Sequence, residues 1–502
     1  MLYENTLLQS FQKGQQDLLI KQEVLRKEIA NMIYCFYTNN KSGINYYMKK
    51  YMLDSGVHET KVWDSVRKRL DTLDEGNYQM GMFTEKTVKI MPKIHIDIVN
   101  KIVDMVCTVY NSGADRYLLD KDGEVDEAQT EILMDIYNGF DATKKILECY
   151  KQGYLFNTIL VNPVWRNDKI DLDIITPNFC SVDSDESNYE KAKAIMISKF
   201  VNDEDMIVYW SDKEHFYIDS DNEKIAVEDE EGNVNAAMIN PYKEIPFAVL
   251  RFQSSSDFWG EPQQDLAENN IWYNVMESNR LFVEMFQGLG IGVGINLGKN
   301  ATVTNAPNTM IMVNDVRDDM ERPSIEFAST NAPLGELREN LDFYYKRIGN
   351  SKGLSPQSMS NDITGQSGVA KAYDSIELTI KKDNHKHIMK QFEKELFQKI
   401  KLVYNFHSDK KLSDDLMFNV DIIEDEPETD VTKEIELNNF KLEKNIISVI
   451  DLMIKDNPDL TTEEAIQRIQ DNKKLNEAYI NGEADNKAIE TGQDGNTDST
   501  VN

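Results

Sequence analysis

Residues 349–407 read GNSKGLSPQSMSNDITGQSGVAKAYDSIELTIKKDNHKHIMKQFEKELFQKIKLVYNFH, and their character changes once along the way. Gly349 to Gly368 is polar, with glycines at 349, 353, 365 and 368 and a single basic residue, Lys352. From Val369 onward, Val369, Tyr373, Ile376, Ile380, Ile388, Phe392, Leu396, Ile400 and Val403 keep a 3–4 beat. That period predicts one long amphipathic helix. At about 1.5 Å per residue it would span on the order of 55 Å, with a bend expected near Asn384, where the beat skips a turn. A loop of this length inside a compact domain is uncommon and usually serves a function.

Upstream of the loop, Leu334, Leu337, Leu341, Tyr344 and Ile348 predict a helix of about four turns. Before it, Trp272, Val275, Met276, Phe282, Val283 and Phe286 mark a helix that opens at Pro262, a residue suited to a first turn, and breaks at Gly288–Gly294. Short β-like pieces, Thr309–Val313 and Ser324–Phe327, lie between the two helices. Residues 1–150 read as helical: Glu23–Tyr37, the stripe Ile94, Ile98, Ile102, Met105, Val106 and Val109, and Ile132–Tyr154, which should stop around Gly153. The period then switches to two. Thr158–Trp165, Ile170–Ile174, Ala194–Phe200, Met206–Trp210, Phe216–Ile218 and Ile245–Phe252 make 155–255 a β-rich unit with acidic turns. After the long helix come an acidic linker, Asp421–Asp430, and two helices. The second opens with a capping box, Thr461 to Glu464. Asn481–Asn502 lacks aromatic residues and should be disordered. The fold class is α+β, mainly helical.

The 502 residues include 87 Asp and Glu against 55 Lys and Arg, a net charge of −32. High-affinity DNA binding draws on basic side chains that neutralise phosphates. This balance argues against a tight duplex binder. It suits either a wall past which DNA slides or a chain kept soluble by its charge. Cys35, Cys107, Cys149 and Cys180 form no CxxC and read as buried free thiols of a reducing compartment. No basic, apolar leader opens the chain and no window is apolar enough to span a bilayer, so a soluble protein made in a cytoplasm is expected. The glycine run at 288–294 follows a helix and precedes strand-like residues, the reverse of a nucleotide-binding turn, and no phosphate-binding GxxxxGK[ST] is present. His385 and His387 point to different faces of the long helix, unlike a metal pair, and should be solvated. No serine has a histidine partner. No catalytic residue, cofactor or metal is expected, and the chain reads as a non-enzyme.

Three segments carry a resemblance: Val88–Tyr110 (VKIMPKIHIDIVNKIVDMVCTVY), Asn240–Phe252 (NPYKEIPFAVLRF) with Gly260-Glu-Pro262 after it, and Ser367–Ser375 (SGVAKAYDS). Their order resembles the portal proteins of tailed bacteriophages, especially siphophages of Gram-positive hosts. The resemblance implies a portal fold: a wing over 1–260, helical at its N-terminus and β-rich at 155–255, a first stem helix over 261–287 and a clip over 288–332. It also implies a second stem helix over 333–348, a tunnel loop over 349–368, a long wing helix over 369–420, a crown over 421–480 and a disordered tail over 481–502. Lys352, Ser355, Gln357, Ser358 and Asn361 would face DNA in the channel. Trp272, Phe282, Phe286, Leu337, Leu341 and Tyr344 would pack the stem. The implied partners are further copies of the chain in a ring, commonly of twelve, and double-stranded DNA passing through it. The large terminase subunit, the major capsid and scaffolding proteins, and head-completion and neck proteins complete the set, with no membrane. The implied location is the portal vertex of the virion, reached through the host cytoplasm during assembly. Two alternatives are another minor structural protein of a phage and a metal-dependent nucleic-acid enzyme using the carboxylates of Asp421–Asp430.

Overall fold

The computed structural model describes residues 21–54, 85–201, 204–228, 234–289, 291–295, 324–328, 333–359, 376–423, 438–444, 446–456 and 460–480. The chain divides into two units, Met1–Glu424 and Asp425–Asn502. The expected strand Thr309–Val313, the start of the long helix at 369–375 and the tail beyond 480 lie outside the described residues.

In the first unit, helices α1 (21–37), α2 (Lys41–Asp54), α3 (Glu85–Ile90) and α4 (Ile98–Val106) precede strand β1 (Ala114–Leu119). The apolar stripe from Ile94 to Val109 predicted more helix than forms, because 92–97 takes no helical structure. Asp97 caps α4 by accepting the Asn100 N–H. The single helix expected over 132–154 is two, α5 (Glu127–Gly139) and α6 (Ala142–Phe156). Asp141 breaks them apart with φ of 53° while its side chain caps α6. Gly153 does not stop α6. It lets the helix lie against the sheet, since a Cβ there would sit 2.5 Å from Leu250 Cδ2.

The period-two region forms two antiparallel sheets. Strands β2 (Thr158–Arg166) and β3 (Lys169–Ile175) join through Asn167 and Asp168, both at positive φ, the backbone of a tight two-residue hairpin turn. Strand β9 (Ala248–Arg251) pairs on the other side of β2. Strands β4 (Cys180–Asp185), β5 (Asn188–Val201), β6 (Glu204–Ser211), β7 (His215–Ile218) and β8 (Lys224–Ile225) run as a meander. A smaller core of Leu160, Ile175, Cys180, Ile195, Trp210, Phe247 and Trp259 joins residues of the two sheets.

Helix α7 (Gln264–Leu289) leads into β10 (Ile291–Ile295), which pairs antiparallel with β11 (Ser324–Ala328), and α8 (Leu334–Ser351) returns. Helix α9 (Ile376–His407) runs unbroken through Asn384, about 48 Å at the standard rise. It buries Met389, Phe392, Leu396, Phe397, Ile400 and Val403 against the main core. Strand β12 (Met417–Ile422) pairs with β1, with Asp421 opposite Asp115. Asp421 therefore belongs to a sheet and not to a linker, and the first unit ends at Glu424, beyond the boundary expected at 420. Among the described residues of the second unit are a helical stretch over 438–443, α11 (Val449–Asp456) and α12 (Thr462–Ile480), the first taken as α10. Thr461 and Glu464 cap α12 reciprocally, as the sequence predicts. Among the described residues no helix is long and apolar enough to cross a membrane.

Candidate functional site

Helix α7 carries Asn270, Asn274 and Ser278, four residues apart and all buried. They accept the backbone N–H groups of Ile98, Ile96 and Ile94 at 3.0 Å each, and Asn270 returns a bond from Nδ2 to the Ile96 carbonyl. The fit is metric. Four residues of helix advance about 6 Å and two residues of extended chain about 6.6 Å, so every second N–H meets the next side chain. The N–H groups of Ile94, Ile96 and Ile98 are thereby satisfied without a neighbouring strand.

Helices α7 and α8 lie antiparallel and in contact. Tyr344 donates to Asn269 at 2.6 Å, the Tyr273 and Tyr345 rings are 5.6 Å apart, and Arg338 reaches Glu284 at 3.7 Å. Of the residues expected to pack here, Leu341 is buried and Leu337, Trp272 and Phe282 are half-buried. Trp272 stands edge-on to Tyr51 at 5.8 Å. The side chain of Phe286 lies outside the described residues. Phe343, on the other side of α8, is exposed.

The loop root is a three-way junction. Helix α8 runs to Ser351, beyond the expected loop start at 349, and ends in a Schellman motif. Leu354 N–H bonds the Gly349 carbonyl, Gly353 N–H bonds the Asn350 carbonyl, and Gly353 takes φ of 80°. Leu354 and Met359 are buried, and a Cβ on Gly349 would strike Met359 Cγ at 2.4 Å. Lys352 is buried too. Its Nζ donates to both Asp265 carboxylate oxygens, at 2.6 and 2.8 Å, and to Gln263 at 2.7 Å. Lys381 of α9 donates to the Lys352 carbonyl at 2.6 Å. Ser355 and Gln357 are half-buried and Ser358 is exposed. The Ser355 and Ser358 hydroxyls meet at 2.9 Å. Asn361 lies outside the described residues.

Beside this junction is a cavity of about 600 Å³ whose lining includes Tyr154, Phe252, Gln253, Lys352, Lys381 and His385. His385 is not solvated as the sequence suggested. Tyr150 Oη sits 2.8 Å from its Nδ1, and burial, with the charge of Lys381, lowers its pKa to about 4. His387 is exposed. Further along α9, Glu393 is wholly buried, paired with Arg116 at 2.6 Å and accepting from Tyr110 at 2.6 Å.

Among the described residues no group of three or more His, Cys, Asp or Glu is placed to hold a metal ion. Asp421 is occupied, accepting from Tyr117 at 2.7 Å and lying 3.6 Å from Lys390. Its acidic neighbours from Glu424 to Asp430 lie outside the described residues. Cys107, Cys149 and Cys180 are buried free thiols, and burial pushes the Cys180 pKa up to about 12. Cys35 is half-buried.

Sequence reasoning missed Asp265, Gln263 and Lys381, whose partners lie 29 to 89 positions away. It also missed the Asn270, Asn274 and Ser278 row, whose signal was polar residues at every fourth position of an apolar helix face, which need partners when buried.

No protein-family model matches this chain, and no curated protein matches it. Among solved structures, a chain from the virion of a native gene transfer agent particle is 10% identical with a TM-score of 0.38, covering 69% of this chain and 85% of that one. A chain from the neck of an empty gene transfer agent particle is 10% identical with a TM-score of 0.40, covering 78% of this chain and 98% of that one. Both likenesses are distant.

Proposed function

We propose that this chain is a portal subunit of a tailed-phage-like particle. It would act as a non-catalytic member of a ring at one capsid vertex, through which DNA is packaged, retained and ejected. The observation that carries the reading is the antiparallel α7–α8 pair, closed at one end by the β10–β11 strand pair and leading at the other into the loop and the 32-residue helix α9. Such rods, half-buried or exposed at Trp272, Met276 and Phe343, are suited to pack side by side around a closed ring. In this reading α7 and α8 are the stem, the strand pair belongs to the clip, and residues 352–368 are the tunnel loop. The wing comprises the units before Pro262 together with α9, and 425–480 is the crown. The loop would offer DNA the weak hydrogen-bonding groups of Ser355, Gln357, Ser358 and Asn361. An acidic wall would keep the duplex from adhering. Partners would be further copies of the chain, commonly twelve, duplex DNA, the large terminase subunit, capsid and scaffolding proteins, and head-completion and neck proteins.

Negative-stain images of the purified chain test this. Annular particles with an axial hole are expected, and monomers alone across several salt conditions would refute it. Shortening the loop between Gly353 and Gly365 should block DNA packaging while rings still assemble. Loss of the rings themselves would move the loop to a subunit interface.

A further inference from the structure

We propose that Lys352, Asp265 and Lys381 form a clasp that hides the one cation of the loop from the channel when closed and presents it to DNA phosphate when open. The inference rests on the portal reading and adds to it a control over how the loop is charged.

The geometry is that of a hidden charge. All three Nζ protons of Lys352 have acceptors within the subunit, two on Asp265 and one on Gln263. The lysine side chain is 10% exposed, whereas that of Asp265 is 57% exposed. Water and cations therefore reach the pair mainly at the carboxylate, and a pair so exposed is weak. The backbone is held independently of the side chain. Lys381 grips the Lys352 carbonyl, and the glycine-capped end of α8 fixes the turn. Opening the ion pair thus need not unravel the helix. The adjoining cavity gives the ammonium room to leave without displacing core side chains. Two facts give the clasp a use. The segment 349–368 holds one basic residue, and the chain carries a net charge of −32. A lysine exposed permanently at each loop would drag on a moving duplex. One exposed on demand would hold it.

The carboxylate is the side to test. The full-length chain, in wild-type form and as Asp265→Asn, Lys352→Met and the double variant, is melted, imaged and titrated with a fluorescent DNA duplex at low and moderate salt. Asp265→Asn is expected to bind the duplex about tenfold tighter at roughly 50 mM salt, with the gain shrinking at roughly 200 mM as counter-ion competition rises. The double variant should return to the wild-type level. Equal binding by Asp265→Asn and the double variant would show that lost negative charge alone explains the gain, and would overturn the proposal. So would unchanged binding by Asp265→Asn. Melting decides the clasp without DNA. The double variant should melt within about 1 °C of the less stable single variant, because coupled partners do not add. Additive shifts refute the clasp and leave the portal reading intact. Non-additive shifts in a wild-type sample without rings uphold the clasp and refute the portal reading, and with it the channel role.

Discussion

Arg116 meets Glu393 with side chains 8% and 0% exposed, whereas Lys352 meets Asp265 with the lysine 10% and the carboxylate 57% exposed. Both pairs join elements far apart in sequence. They differ in what surrounds them. The Glu393 carboxylate takes two bonds from the guanidinium and one from Tyr110, and the guanidinium lies over the Tyr110 and Tyr137 rings at 5.9 and 5.7 Å. Removing either partner strands a charge in a dry site, so the pair cannot open at small cost. At the loop root, water can replace Asp265. The first pair fixes where α9 lies against the β1–β12 sheet, and the second can change state. His385 lies on α9 between Lys381 and Glu393 and is buried.

Three measurements test how differently the two regions behave. Glu393→Ala should cost most, about 3–5 kcal/mol in urea denaturation, because it leaves Arg116 uncompensated. A cost near that of a surface substitution would erase the contrast between the two pairs. Acidification comes next. The pKa of His385 falls from 6.5 to about 4 on folding, chiefly through burial among Tyr150, Tyr154 and Phe252 and further through Lys381. The unfolded chain therefore binds the proton first. The contribution is fully present above about pH 6.5, is lost as pH falls toward 4 and is constant below that. Stability should drop by about 2 kcal/mol from this residue between roughly pH 7 and pH 5. His385→Phe should flatten the profile by that amount and leave the similar slope of His215, also lowered to about 4 by burial. An unchanged profile would show that the space beside the loop root admits water to the imidazole. The smallest effect belongs to Gly353→Ala. It puts a Cβ at φ of 80° and 3.0 Å from Lys381 Nζ, for a cost of about 1 kcal/mol. It should also loosen the loop root, which faster proteolytic nicking after residue 352 would report.

Legibility followed the range of the interaction. The switch from helix to strand appears at Asn157, where a period of 3.6 gives way to a period of two, and the glycine run after α7 marks its end within a residue or two. The break at Asp141 escaped notice because Phe140 and Ala142 continue the apolar pattern across it. The helix ends at Gly139, and Asp141 takes a left-handed backbone. Ile94 continues the α4 stripe in sequence yet lies outside the helix, its N–H taken by Ser278 of α7, 184 positions away. His385 reads as a surface residue because it and His387 stand two apart on different faces of a helix, with no metal-pair spacing. A helix turns it inward onto Tyr150, with Lys381 one turn earlier on the same face.

Apolar period, glycine and capping chemistry, all properties of neighbours within a turn or two, determined from the sequence alone the order of helical and strand regions, though not every break within them. The tertiary structure decided the fate of the polar groups: Lys352 in an ion pair, Glu393 in the core, and Asn270, Asn274 and Ser278 as acceptors for a distant backbone. The physical reason is that burying apolar surface is non-directional, so a local pattern suffices to specify it, whereas a buried donor or acceptor is satisfied by one atom at one distance and angle. Folding alone brings that atom within reach.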